Sequence, residues 1–249
     1  MRSVLFVLFF ICFFAVSPLL WLLILIVRLF NRNAADRLAL FFVKGACRTG
    51  RLMAGTKLTV KGLGNIPEDR TVVFVLNHRS IFDIILTYPY VKGPTGFIAK
   101  KELGKIPFFS TWLRFANCLF LDRKDIRKGL KTMNEGIQKV QNGISMCIFP
   151  EGTRNKDLST KTGLLEFHEA SFRLAVRPNV PIIPVAVYNS ADCFENHKPW
   201  IRSVPVTITY GEPIIIDELK PEERKFLGRY TRDIIQKMLD ESEAESKKD

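Results

Sequence analysis

The sequence predicts an α/β fold: a mixed, largely parallel sheet flanked by helices, with an N-terminal membrane-associated helical segment. Three observations predict it. Residues 4–27 carry no charge, short β-rich runs alternate with helical patterns after residue 55, and 249 residues with 47% hydrophobic content can bury one substantial core. We therefore divide the chain into membrane-anchoring helices (1–54), an α/β domain (55–240) and a charged tail (241–249) that we expect to be disordered.

The apolar run at the N-terminus is long enough to cross a bilayer, since a helix over residues 4–27 would measure roughly 36 Å. Ser17 and Pro18 interrupt the run, so a kinked span and a re-entrant pair of half-helices both remain open. A cleaved signal peptide fits less well, because the run is too long and Pro18 directly follows the small-x-small candidate. Positive charge follows the run, which predicts that the domain lies on the cytoplasmic face of the inner or cell membrane.

The next segment, residues 34–54, is amphipathic when projected as a helix. One narrow sector holds a basic stripe, made of Arg37, Lys44, Arg48 and Arg51, and apolar side chains occupy another sector. Such a helix suits the interface of an anionic leaflet, where each basic residue contributes about 1 kcal/mol. The alternative is an ordinary surface helix packed on the domain.

The net charge of +12 calls for an anionic partner: nucleic acid, an acidic membrane surface or a phosphorylated substrate. Many of the 20 Phe residues lie in the first 45 positions, and basic residues cluster beside the membrane segment. The predicted partner is therefore a phospholipid bilayer and not nucleic acid. The five cysteines show no paired short spacing, and no group of His, Cys and carboxylates has ligand spacing, so we predict no metal site and no cofactor.

Seven short runs after residue 55 are predicted as strands: residues 57–60, 71–76, 96–99, 118–121, 145–149, 181–188 and 204–210. The clearest intervening helix spans residues 125–142, with an acidic start and Gly143 as a stop. Five apolar residues at helical spacing in it are predicted to be core: Ile126, Leu130, Met133, Ile137 and Val140. A last helix is predicted over residues 221–239.

The second predicted strand ends in Asn77 and His78, and Asp83 follows five residues after the histidine. In open α/β sheets, ligands bind where buried strands deliver the chain to the surface. An imidazole can take a proton near neutral pH, and a carboxylate bonded to its other ring nitrogen fixes the tautomer. His78 and Asp83 are therefore the candidate base and its partner, although a structural or chance pair is the commoner case at this spacing.

Two later predicted strands also end in polar residues. Arg123 follows the fourth strand, and the fifth is followed by Glu151, Gly152, Thr153 and Arg154. If the strand directions agree, these groups meet His78 at one edge of the sheet. Two arginines, a hydroxyl and a backbone N–H suit a phosphomonoester, for which bidentate guanidinium geometry matters.

With these motifs in order, residues 55–211 resemble the glycerolipid acyltransferase family typified by 1-acylglycerol-3-phosphate acyltransferase (lysophosphatidic acid acyltransferase). Four blocks carry the resemblance: Asn77-His78 with Asp83, and residues 120–123 (Phe-Leu-Asp-Arg), 149–154 (Phe-Pro-Glu-Gly-Thr-Arg) and 180–185 (Val-Pro-Ile-Ile-Pro-Val). The His and Asp spacing alone is common, but its combination with the Glu-Gly-Thr-Arg block is specific.

The resemblance implies that His78 is the catalytic base and that Asp83 orients it. It implies an acceptor-binding set of Asn77, Lys100, Arg123, Glu151, Gly152, Thr153 and Arg154. The implied reaction moves a fatty acyl group from acyl-CoA or acyl carrier protein to the sn-2 hydroxyl of lysophosphatidic acid, giving phosphatidic acid in phospholipid biosynthesis. Three residues depart from the family's usual Gly, Ser and Lys, which leaves the exact acceptor open: Asn117, Asn155 and His168.

Other functions also fit parts of the sequence. The acceptor could be another lysolipid or glycerol phosphate. The same histidine and aspartate could activate water in a membrane phospholipid hydrolase. A non-enzymatic anionic-lipid binder would need only the basic stripe and the anchor, but it would not explain why His78, Asp83 and Glu151 occur together.

Overall fold

The computed structural model describes residues 1–157 and 159–248, and it confirms the predicted α/β fold. One seven-stranded sheet has the strand order β1-β7-β6-β2-β5-β3-β4. Its strands are β1 (Lys57–Lys61), β2 (Val73–Leu76), β3 (Thr95–Lys100), β4 (Leu119–Leu121), β5 (Ser145–Ile148), β6 (Ile182–Tyr188) and β7 (Pro205–Tyr210). All neighbours pair in parallel except β6 and β7, so the sheet is mixed and largely parallel. Each strand overlaps one of the seven predicted runs.

Eight helices accompany the sheet within the described residues. They are α1 (Arg2–Phe30), α2 (Arg32–Ala54), α3 (Phe82–Thr87), α4 (Phe109–Phe115), α5 (Ile126–Gln141), α6 (Arg173–Val176), α7 (Pro221–Lys225) and α8 (Leu227–Ser246). The central strand β2 shows how the core is divided. Phe74 and Leu76 point into the cluster on the α2 and α3 side, whereas Val73 and Val75 point into the cluster on the α5, α6 and α8 side. This alternation is the period of two that a strand buried on both faces imposes.

The N-terminal segment forms a helical hairpin. Helix α1 runs unbroken through Pro18, next to which the Ser17 hydroxyl donates to the Phe13 carbonyl at 2.8 Å and accepts from the Trp112 indole at 2.7 Å. Of the two alternatives left open by the sequence, a pair of half-helices is inconsistent with this unbroken helix. Instead α2 returns along α1, and the Arg2 guanidinium donates to the carbonyl of Ala54, at the far end of α2. The Ser3 hydroxyl accepts from the N–H of Ile201 at 2.8 Å, and Arg51 donates to the Thr56 carbonyl, so the start of α1 and the end of α2 both lie against the domain.

Helix α1 is long and apolar enough to cross a membrane by length and composition, and little of it is buried in the protein. It is a candidate membrane-anchoring helix. The basic stripe of α2 partly fits each of its two interpretations, a helix at an anionic membrane interface and a surface helix packed on the domain. Lys44 donates to the Val91 carbonyl at 2.6 Å and Arg51 to the Thr56 carbonyl at 3.3 Å, whereas Arg37 and Arg48 are exposed. Half of the stripe therefore binds the domain, and half faces outward.

The predicted core face of α5 is wrong in its first turns. Ile137 and Val140 are buried, but Ile126 is 87% exposed and Leu130 is 47% exposed. Helix α5 comes close to the end of β4 at Gly129, where an added Cβ would lie 3.2 Å from the Asp122 carbonyl. Ile126 lies one turn before that contact, because α5 starts beyond the three-residue edge strand.

The disordered tail is also a wrong prediction. Helix α8 continues to Ser246, and within the predicted tail only Asp249 lies outside the described residues. Ser242 is buried and its hydroxyl donates to the Met238 carbonyl at 2.8 Å, while Glu245 forms an ion pair with Lys61 of the sheet. The charged residues were misread because they decorate the solvent face of a helix whose other face still packs.

Candidate active site

The carboxyl ends of the four parallel strands β2, β5, β3 and β4 lie along one edge of the sheet. Strand β2 delivers His78 to this edge, and β5, its neighbour, delivers the loop that begins at Glu151. Strand β3 ends at Lys100 and β4 is followed by Arg123. The predicted polar segments therefore lie on one edge of the sheet, in the order His78, the Glu151 loop, Lys100 and Arg123.

His78 and Asp83 form a hydrogen-bonded pair, as the sequence predicts. The Nδ1 atom of His78 lies 2.8 Å from Asp83 Oδ2, and the imidazole is 18% exposed while the carboxylate is fully buried. Because Nδ1 faces a carboxylate, it carries the proton and Nε2 is left as the basic nitrogen. The geometry suits an imidazole that accepts a proton from a ligand.

The buried Asp83 carboxylate is compensated by further donors. Its Oδ2 also accepts from the backbone N–H groups of Arg79 at 2.8 Å and Ser80 at 2.9 Å, and its Oδ1 accepts from the Ser190 hydroxyl at 2.5 Å. A buried carboxylate needs such partners to remain ionised. Both oxygens are therefore fixed, and they fix the imidazole in turn.

Phe149 covers one face of the imidazole. The two ring centroids are 4.1 Å apart with planes inclined by 26°, and Phe97 supports Phe149 from 6.1 Å in a second stacked pair. Stacking from one side and the carboxylate from another leave the imidazole little freedom of rotation. The ring is held in place before any ligand arrives.

Glu151 is 3% exposed and serves the backbone. Its carboxylate accepts from the N–H of His78 at 2.6 Å and from the N–H of Leu165 at 3.0 Å. Burial raises the pKa of the Glu151 carboxyl above its ordinary value, and these two hydrogen bonds oppose that effect. The structure thus gives Glu151 the position of a brace between two loops, which does not support the predicted contact with a ligand.

Two other predicted ligand contacts are engaged inside the protein. The amide of Asn77 is fully buried, donates to the Val187 carbonyl at 3.0 Å and accepts from the Val187 N–H at 2.8 Å, so it extends the pairing of β2 with β6. The N–H of Gly152 donates to the Phe149 carbonyl at 3.0 Å. Neither group is therefore available to a phosphate, and the N–H of Gly152 is not available to a carbonyl oxygen that gains charge.

Gly152 has a conformational role instead. Its φ of +69° is in the left-handed region, and an added Cβ would lie 3.1 Å from the His168 ring. The turn therefore needs glycine both for its backbone and for the close approach of His168. That histidine, one of the departures from the family pattern, lies directly over the turn.

The exposed cationic residues spread along the edge. Thr153 is exposed in the loop next to the His78–Asp83 pair, which we call the dyad, and Arg154 donates to the Glu195 carboxylate at 2.8 Å. Lys100 and Arg123 are exposed at the ends of β3 and β4. Strand β4 is three positions from β2, so Arg123 begins roughly 14 Å from the dyad at about 4.8 Å per strand. The structure groups Thr153 and Arg154 with the dyad and sets Lys100 and Arg123 farther along.

The segment after β6 contributes residues that the sequence analysis missed. Ser190 bonds Asp83, and Glu195 bonds Arg154. A signal existed, because β6 pairs in parallel with β2 and its carboxyl end must reach the same edge. Arg79 was missed as well. It is buried and donates to the carbonyls of Asp157, Thr160 and Gly163, so it ties their loop to the histidine segment.

Comparison with known proteins agrees with this geometry. The sequence model of the Acyltransferase family matches residues 57–188, which hold the dyad, the Glu151–Arg154 loop and six of the seven strands. The chain belongs to the acyltransferase family and is an enzyme of that type. The family resemblance inferred from the four sequence blocks is confirmed.

Individual relatives are more specific. The chain is 28% identical over 204 residues to the 1-acyl-sn-glycerol-3-phosphate acyltransferase of Borreliella burgdorferi, covering 82% of this chain and 80% of the relative. It is 30% identical to the enzyme of that name from Haemophilus influenzae, covering 72% and 75%. The crystal structure of the 1-acyl-sn-glycerophosphate acyltransferase from Thermotoga maritima is similar over 98% of both chains, with 26% identity and a TM-score of 0.79.

Proposed function

We propose that this enzyme transfers a fatty acyl group from an acyl thioester, acyl-CoA or acyl carrier protein, to the sn-2 hydroxyl of 1-acylglycerol-3-phosphate, giving phosphatidic acid for phospholipid biosynthesis. The observation that carries the proposal is the 2.8 Å contact of His78 with Asp83 on the sheet edge that also bears Arg154. The names of the relatives support the same acceptor.

In the proposed mechanism, Nε2 of His78 removes the proton from the acceptor hydroxyl as its oxygen attacks the thioester carbonyl. The new C–O bond forms, the C–S bond breaks, and the thiolate leaves without a strong acid because a thiol has a pKa of about 8.5. Asp83 stays ionised and stabilises the imidazolium. General base catalysis contributes about 10²–10⁴ in rate, so positioning must supply much of the remainder.

The acceptor's phosphate is assigned to the cations of the edge. Arg154 lies beside the dyad, and Lys100 and Arg123 lie farther along. A guanidinium binds phosphate oxygens in bidentate fashion, which suits Arg154 for the nearest contact. Asn77 and the Gly152 N–H are left out of this set, since both are engaged within the protein.

The same proposal places the domain at a membrane surface on the cytoplasmic side. The apolar side chains of α1 are largely exposed to the surroundings, and its partner α2 turns Arg37 and Arg48 outward. The start of α1 and the end of α2 lie against the domain. The turn between the two helices, at Asn31, is therefore at the opposite end of the hairpin from those contacts. Exposed arginines would meet anionic headgroups.

The test is to incubate the purified enzyme in lipid vesicles with a labelled acyl thioester and lysophosphatidic acid, then separate the products. Label in phosphatidic acid, and its loss in His78→Ala, would support the proposal. Label in free fatty acid would favour the hydrolase instead. A panel of acceptors, including glycerol phosphate and lysolipids with other headgroups, identifies the acceptor, and parallel reactions with acyl-CoA and acyl carrier protein identify the donor.

A further inference from the structure

The segment that follows β6 closes the site from the side opposite the Glu151–Arg154 loop. It runs through two short 3-10 turns, Ser190–Cys193 and Glu195–His197. Ser190 reaches Asp83, as described above. Glu195, five residues later, points its side chain into the same region, and that side chain is only 7% exposed.

Glu195 binds both of the functional loops at once. Its Oε2 accepts from the Ser80 hydroxyl and its Oε1 from the N–H of Ile81 at 3.0 Å, in the turn between His78 and Asp83. The same Oε1 accepts from Nη1 of Arg154 at 2.8 Å. One carboxylate therefore connects the histidine loop to the arginine that we assign to the acceptor's phosphate.

The energetics favour a fixed arginine. A carboxylate this far removed from water is costly unless it is paired, and the Arg154 guanidinium is the cation that pairs with it. A guanidinium has five N–H donors, and the contact with Glu195 uses one of them. The remaining N–H groups can donate to two phosphate oxygens while Glu195 holds the plane of the guanidinium.

We propose that Glu195 is a positioning residue for the acceptor: it holds Arg154 in the orientation that binds the phosphate, and it ties that orientation to the histidine loop. The inference rests on the proposed function, because it takes Arg154 as a phosphate contact. It adds a residue outside the four sequence blocks. The class of ligand that depends on Glu195 is an acceptor with a phosphomonoester.

The main test measures steady-state kinetics in mixed micelles for Glu195→Ala, with lysophosphatidic acid and a monoacylglycerol as acceptors. The KM for lysophosphatidic acid should rise about tenfold, as expected for the loss of one charge-assisted hydrogen bond. The KM for the acyl thioester should change less than twofold. Monoacylglycerol lacks phosphate, so its KM should rise by less than half as much as the KM for lysophosphatidic acid, and any fall in kcat from the lost Ser80 and Ile81 contacts should be equal for the two acceptors. Glu195→Gln keeps an acceptor for Ile81 and Arg154, so its KM should lie between those of Glu195→Ala and the wild type.

A double-mutant cycle separates positioning from a merely structural role. If Glu195 acts through Arg154, then Arg154→Ala and Arg154→Ala combined with Glu195→Ala should have the same KM. Lys161→Ala is the matched control, because Lys161 pairs at 2.8 Å with Asp192 on the same segment without touching the dyad. Its KM should equal that of the wild type. Thermal unfolding of each variant checks the fold.

The outcomes distinguish the two proposals. Additive effects in the cycle, or a loss of kcat with both acceptors and an unchanged KM, would overturn the positioning role of Glu195. If Arg154→Ala raises the KM and Glu195→Ala does not, the inference is wrong while the proposed function stands. If Arg154→Ala itself leaves the KM unchanged, the phosphate contact of the proposed function is wrong, and the role of Glu195 falls with it.

Discussion

Asp83→Asn changes one charge in the dyad and almost nothing in its shape. In the wild type, Oδ2 accepts from His78, Arg79 and Ser80, and Oδ1 accepts from Ser190. An asparagine can keep its oxygen on the Oδ2 side and turn its NH₂ toward the Ser190 hydroxyl, which can rotate to accept. The fold should therefore survive, with a loss of about 1–2 kcal/mol in the free energy of unfolding.

The expected loss of activity follows from the distance. The charges of an imidazolium and a carboxylate in contact are about 4 Å apart, and at an effective dielectric constant of about 20 they attract with about 4 kcal/mol. The imidazolium forms in the transition state of the proposed mechanism, so the variant should lose this stabilisation. A loss of about 4 kcal/mol corresponds to about a 10³-fold fall in kcat.

The assay is acyl transfer from a labelled thioester to lysophosphatidic acid at saturating concentrations, with thermal unfolding measured alongside. Ser190→Ala serves as the matched control, because it removes one hydrogen bond from Asp83 and leaves the charge. It should cost no more than about tenfold in rate. Retention of a tenth or more of the wild-type kcat by Asp83→Asn would refute the view that the charge of Asp83 stabilises the imidazolium.

Three further predictions test other parts of the site. Phe149→Leu removes the ring stacked on His78 at 4.1 Å and should lower kcat about tenfold. Phe149→Tyr keeps a ring there, so its kcat should stay near that of the wild type. Equal losses of kcat in both variants would argue against a role for stacking. Gly152→Ala should lower the free energy of unfolding by about 1–2 kcal/mol, because φ is +69° and the new Cβ would press on His168. Urea denaturation measures this loss. Gly143→Ala is the comparison, because Gly143 also has a positive φ but has open space around it. The pKa of Glu151 is raised in the fold, so its contribution to stability is present below the ordinary value of 4.5 and is lost as pH rises through the higher folded value. The free energy of unfolding of Glu151→Gln, relative to that of the wild type, should therefore increase between pH 4 and 7. A difference that does not change with pH would contradict this sign.

Much of the fold could be predicted because it depends on local patterns. Strand β2 reads as an uninterrupted apolar run, and the structure buries all four of its residues. The pairing of His78 with Asp83 was predictable for the same reason, since both residues lie in one short turn after a buried strand. The two residues are only five positions apart, between the end of a strand and the first turn of a helix, so the short connection brings their side chains together.

The direction in which a polar side chain points could not be predicted in the same way. Asn77 and Glu151 belong to the blocks that suggested ligand contacts, yet the structure turns both toward backbone groups. A buried N–H or carbonyl must find a partner, and that need appears only when the loops are placed together. Glu195 was invisible for a related reason, because its partner Ser80 is 115 residues away.

The hairpin has a consequence for how the molecule can be handled. The hydroxyl of Ser3 accepts from the N–H of Ile201, so the first turn of α1 lies against a loop that follows it by nearly 200 residues. A fusion partner attached next to Ser3 would have to fit against the loop at Ile201, whereas one attached after α8 would not. Affinity handles for purification therefore belong at the carboxyl terminus.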